Sequence, residues 1–124
     1  MATLILVVED ELNINQMLQE LFKLEGFDVD SAYDGDEGIE KARFGLPDII
    51  LLDIGLPNKN GWEVLQYLKS DMKTKSIPVI ILSGLGQQEE INKGMALGAS
   101  KYLVKPCDPV QVITTVREIL GLPA

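Results

Sequence analysis

A chain of 124 residues, 46% hydrophobic and 24% charged, has the size and balance of one globular domain with a core of its own. A formal net charge of −8 argues against a nucleic-acid surface, which needs clustered Lys and Arg, and the lack of any histidine removes His-based nucleophile activation, His-ligated metals and a phosphohistidine carried by this chain. The single cysteine, Cys107, cannot form an internal disulfide, and no apolar stretch approaches the ~20 residues that span a bilayer. The start, "MATLILVVED", also lacks the basic segment of a signal peptide, so a cytoplasmic protein with no membrane partner is expected.

Along the chain, apolar runs alternate with amphipathic ones. "TLILVV" (3–8) reads as a strand, after which Ile14, Met17, Leu18, Leu21 and Phe22 recur at helical spacing until Gly26 stops the helix. "FDVDSAY" (27–33) alternates as an edge strand would, and Asp34 can cap a second helix with a weak stripe through Ile39 and Ala42. "DIILL" (48–52) is the third strand, and Val64, Leu65 and Leu68 mark the third helix. "IPVIIL" (77–82) is the fourth strand. The helix after it, from about Gln87 to Leu97, has only Ile91, Met95 and Ala96 as an apolar face. Gly94 inside it costs ~1 kcal/mol relative to alanine, so this helix is expected to be the least firmly held. "KYLV" (101–104) is the last strand, and a fifth helix opens with Asp108 as N-cap and Pro109 at its first position before Val112, Ile113, Val116, Ile119 and Leu120.

Strands one, three and four are apolar throughout, which suits parallel strands covered on both faces. The pattern predicts one α/β domain over residues 1–124: a doubly wound, five-stranded parallel sheet of order 2-1-3-4-5, in a flavodoxin-like three-layer sandwich. Such sheets bind ligands beyond the carboxyl ends of the strands, near the switch point between strands one and three.

Those ends carry Glu9 and Asp10 (strand one), Asp53 (strand three), Ser83 (strand four) and Lys105 (strand five). Two unit charges ~4 Å apart repel by about 4 kcal/mol at an effective dielectric of 20, so three clustered carboxylates either take up a proton or recruit a cation. Oxygen ligands without His or Cys favour Mg²⁺ or Mn²⁺ over zinc. A carboxylate, a metal, a lysine and a hydroxyl are also the parts of a phosphoryl-transfer site, in which the carboxylate can be the nucleophile.

With "VVEDE" after strand one, "LLDIGLPNKNGWE" around Asp53, "ILSG" at 81–84 and "YLVKP" at 102–106, the chain resembles the receiver domain of two-component response regulators, the CheY-like superfamily, over essentially its whole length. The resemblance implies that Asp53 accepts a phosphoryl group from the phosphohistidine of a histidine kinase or histidine phosphotransfer protein. Asp10, Asp53 and the backbone carbonyl of Gly55 would ligate Mg²⁺, and Glu9 would hold a metal-bound water. Lys105 would pair with the phosphoryl oxygens. Ser83 would move toward the phosphoryl group, and Tyr102 would swing inward behind it. The surface of the fourth helix, fifth strand and fifth helix would then change for a downstream protein partner. The Lys105–Pro106 bond resembles the family's cis peptide.

The chain departs from the family in places. Glu9 stands where many members carry Asp, and Asn60 where Asp is frequent. Cys107 replaces an aromatic. Gly84 and Gly86 should loosen the loop around Leu85. Gly55 and Leu85 cannot position an attacking water, which implies slow self-dephosphorylation.

Duller roles exist for single residues: Asp10 as a helix cap, Asp53 as a turn aspartate, Lys105 as a solvated lysine, Tyr102 as a half-buried aromatic, Cys107 as a small buried hydrophobe and Trp62 as helix packing. Other functions compete as well. An aspartate-nucleophile phosphatase needs a second acid where Gly55 stands. A dinucleotide site needs glycines where "EDELN" stands. A phosphorylation-independent interaction module is the remaining alternative. Either a single-domain regulator or a receiver within a longer protein is expected.

Overall fold

The computed structural model describes residues 2–123; Met1 and Ala124, the outer bounds of the expected domain, lie outside the described residues. The order of elements is β1 (Leu4–Val8), α1 (Leu12–Leu24), β2 (Asp28–Ala32), α2 (Gly35–Gly45), β3 (Ile49–Asp53), α3 (Gly61–Ser70), β4 (Val79–Ser83), α4 (Gln88–Ala96), β5 (Lys101–Val104) and α5 (Pro109–Leu120). All strand pairs are parallel, in the order β2-β1-β3-β4-β5, as the apolar runs predict.

The pleat sorts each apolar run onto two faces. Leu6, Val8, Ile50, Leu52 and Ile81 point to one layer, where Val64, Leu65 and Leu68 of α3 and Ala42 of α2 meet them. Ile5, Val7, Ile49, Leu51 and Ile80 point to the other, against Leu18 and Phe22 of α1 and Val112 and Val116 of α5. The burial of β4 throughout, and of β1 and β3 in all but one residue each, follows from helices on both sides. β2, at the edge, is only partly covered.

Helix boundaries follow local chemistry. Asp34 accepts the N–H of Glu37 at the start of α2, and Asp108 accepts that of Val110 at the start of α5, whose first position is Pro109. Gly26, two residues beyond α1, has φ +91°, a conformation that favours glycine. Two expectations about the apolar stripes need correction. Met17 and Met95 are about half exposed, so neither belongs to the core stripe of its helix. On α4 the inward position is Gly94: a Cβ there would lie 2.7 Å from Ile81 Cδ1 and 3.0 Å from Tyr102 Cδ2. The helix-weakening glycine is thus what lets α4 approach the sheet.

Candidate functional site

Parallel strand order places the carboxyl ends of β1, β3, β4 and β5 along one edge. Asp53 and Ser83 are the last residues of their strands, one position later than the apolar runs alone indicate. Beneath Asp53 the backbone is clamped. Gly61 donates its N–H to the Ile54 carbonyl at 2.8 Å, and a Cβ on Gly61 would come within 2.4 Å of Ile54 Cα and 2.5 Å of the Asp53 carbonyl oxygen. Only glycine lets the first turn of α3 press this closely on the strand that delivers Asp53. Asn60, expected to matter only for the turn, is the N-cap of α3 and accepts the N–H of Glu63.

At the edge itself, ligand oxygens of Glu9, Asp10 and Asp53 lie within 4.8 Å of one another. Lys105 Nζ sits between two of these acids, 2.9 Å from Glu9 Oε1 and 3.4 Å from Asp53 Oδ1. The lysine is thus nearer to Glu9 than to Asp53. Asp53 Oδ1 also accepts the Gly55 N–H at 3.3 Å. Asp10 is exposed and does not cap α1, whose N-cap is Glu11 with no side-chain bond.

Ionisation divides the acids. Glu9 is 3% exposed, and burial, then its hydrogen bond to Asp53, push its pKa up to about 8 in spite of Lys105. Burial pushes Asp53 the same way, but the hydrogen bond from Glu9, the charge of Lys105 and the Gly55 N–H outweigh it and hold Asp53 below the usual carboxylate range. Burial alone would lower Lys105; its bond to Glu9 and the charge of Asp53 raise it instead. The shifts run in opposite directions: the site favours the protonated form of Glu9 and the ionised forms of Asp53 and Lys105.

The same donor set fits a hard divalent cation. Three hard carboxylate oxygens converge, without His or Cys among them.

Ser83 and Tyr102 lie one step away. Ser83 Oγ accepts the Leu85 N–H at 3.0 Å, and the Tyr102 hydroxyl donates to the Leu85 carbonyl at 2.6 Å. Tyr102 is buried, which corrects its reading as a plain half-buried aromatic. Both groups thus grip the backbone of Leu85, whose side chain is exposed. The Lys105–Pro106 peptide is cis, as expected. Cys107 is only partly buried and lines a cavity of about 400 Å³ with Ile14, Leu18 and Val112, which corrects its reading as a buried hydrophobe. Trp62 packs against the core of the α2–α3 layer with Lys93 over its ring, 4.5 Å from the centroid.

Sequence reasoning missed Asn15. It is completely buried on α1, in helical phase with Leu18 and Phe22. An amide in the middle of a core stripe was the available signal, since a buried polar group is informative where a buried apolar one is not.

Comparison with known proteins agrees with this geometry. The response regulator receiver domain family matches residues 5–117. Among curated proteins, the phosphate regulon transcriptional regulatory protein PhoB of Escherichia coli is 34% identical over 120 residues, 97% of this chain and 52% of that protein. The transcriptional regulatory protein CusR of Escherichia coli is 40% identical over 116 residues, 94% of this chain and 50% of that protein. Among solved structures, a CheY-like receiver domain protein of Methanospirillum hungatei superposes with a TM-score of 0.91 at 26% identity, covering 98% of this chain and 95% of that one. The chain belongs to the response regulator receiver domain family, and it spans about half the length of the curated relatives it matches. It is accordingly a signalling domain of two-component systems. No helix among the described residues is long and apolar enough to cross a membrane.

Proposed function

We propose that Asp53 is the phosphoacceptor of a Mg²⁺-dependent switch and that residues 1–124 form a single receiver unit working in the cytoplasm. Its donor is the phosphohistidine of a histidine kinase or histidine phosphotransfer protein. An Asp53 carboxylate oxygen attacks phosphorus, the P–N bond breaks, and its electron pair returns to the donor imidazole. The observation that carries this reading is Lys105 Nζ held between Glu9 and an ionised Asp53: an anionic nucleophile beside a fixed cation that can receive phosphoryl oxygens.

Asp10, Asp53 and the Gly55 carbonyl would hold Mg²⁺, with Glu9 reaching it through a water, and Mn²⁺ is an acceptable substitute. When bound, the ion neutralises charge on the transferring group. Lys105 then turns from Asp53 to the phosphoryl oxygens. Ser83 exchanges the Leu85 N–H for the phosphoryl group, which frees the loop that Tyr102 also holds. The α4-β5-α5 surface changes in consequence and binds a downstream protein; nucleic acid is not a partner of this acidic chain. The only reaction catalysed is the domain's own phosphorylation and dephosphorylation, and the latter is slow, because Gly55 has no side chain and that of Leu85 is apolar.

Incubation with acetyl phosphate and Mg²⁺ should add one phosphate by intact mass, and Asp53→Asn should add none. Equal labelling of both proteins, or none of wild type, would turn the choice toward a phosphorylation-independent module.

A further inference from the structure

Asn15 spends its amide N–H groups on the backbone at the acidic edge. Its Nδ2 donates to the carbonyl of Glu9 at 2.9 Å and to that of Ala32, at the end of β2, at 3.1 Å. Ala32 O also accepts the N–H of Glu9 at 3.0 Å. The peptide groups on both sides of Glu9 are therefore tied to one point. Because a peptide is planar, the Glu9 carbonyl and the N–H of Asp10 share one rigid plane, so a bond to that carbonyl also fixes where Asp10 begins. The N-cap residue Glu11 makes no side-chain cap bond to this turn. The amide itself is oriented from behind: Gln19 Nε2 donates to Asn15 Oδ1 at 2.7 Å.

We infer that Asn15 is a positioning residue, whose buried carboxamide sets the backbone from which Glu9 and Asp10 reach a divalent cation. It tunes cation affinity without touching the ion. This rests on the Mg²⁺ reading above. Groups that orient ligands in this indirect way are worth roughly 10- to 100-fold in metal affinity elsewhere.

Calorimetric titration of the chain with MgCl₂ tests it. Asn15→Leu keeps the branched side-chain shape and the helix but takes the Asn15 donor from the Glu9 carbonyl and leaves the Ala32 carbonyl with the Glu9 N–H alone; Mg²⁺ should bind about tenfold more weakly. Thr74→Val is the control for general loosening. Thr74 is equally buried, and its hydroxyl bonds the Leu68 carbonyl, in the loop after α3 rather than at the β1–α1 turn. Its loss should leave Mg²⁺ affinity unchanged. Should Asn15→Leu fail to fold, Gln19→Leu removes only the bond that orients the amide, and a weakening of about twofold or more is expected. Unchanged affinity in the Asn15 variant, or in the Gln19 variant where that one is used, overturns the inference, as does an equal loss in Thr74→Val. Wild type that binds no Mg²⁺, or Asp10→Asn that binds it as well as wild type, would instead overturn the metal reading itself.

Discussion

Helices α3 and α4 lie against the same layer of the core, yet they are held in different ways. α3 has a side-chain cap from Asn60, a glycine pressed onto the strand below, and Val64, Leu65 and Leu68 buried in the core. α4 has no side-chain cap, and its one buried residue is Gly94; Ile91 is only partly buried. The first helix stands behind Asp53, the second over Ile81 and Tyr102. A phosphoacceptor needs a fixed nucleophile, because a misplacement of about 1 Å is costly in rate. A surface that must change needs an element whose displacement is cheap, and such elements come from the least stable parts of a fold. The contrast between the two helices fits the division of labour that the proposed switch requires.

The largest test of that contrast is truncation in the two helices. Leu65→Ala should destabilise by about 3 kcal/mol, as a fully buried leucine does, whereas Ile91→Ala on α4 should cost about 1 kcal/mol in denaturant unfolding. Equal losses would break the comparison.

Next comes the charge held by the rigid end. The folded pKa of Glu9, about 8, lies above its ordinary 4.5, so the folded state binds the extra proton between those values and stability falls as pH rises through that window. Asp53 is shifted the other way and loses its contribution only in acid, below its ordinary 3.8. In chelator, melting should drop by about 5 °C between roughly pH 5 and pH 8, and saturating Mg²⁺ or Asp53→Asn should flatten the slope. A flat metal-free profile would mean that Glu9 is ionised throughout.

Smaller effects sharpen the picture at the helix ends. Asn60→Ala should cost about 1 kcal/mol by removing the α3 cap, and Gln87→Asp should gain about 0.5 kcal/mol by supplying one to α4. Lys93→Met removes the cation over Trp62 that ties α4 to α3 and should cost about 0.5 kcal/mol, with faster amide exchange confined to α4. An unchanged exchange pattern would show that this contact does not restrain α4.

Periodicity and cap chemistry determined the alternation of elements, the parallel sheet and the strand ends at which Glu9, Asp53, Ser83 and Lys105 are found, because an apolar run of strand length between turn residues has few other places to go. Asp34, Asp108 and Pro109 announced their helix starts for the same local reason. The inward position of Gly94, the exposure of Met17 and Met95, and the clamp of Gly61 on Ile54 were not legible, since each depends on how near a distant strand comes. Nor does sequence say that Glu9, rather than Asp53, takes the proton. That follows from the burial of Glu9, which outweighs the ammonium resting closer to it than to Asp53, and both exist only once β1, β3 and β5 stand side by side.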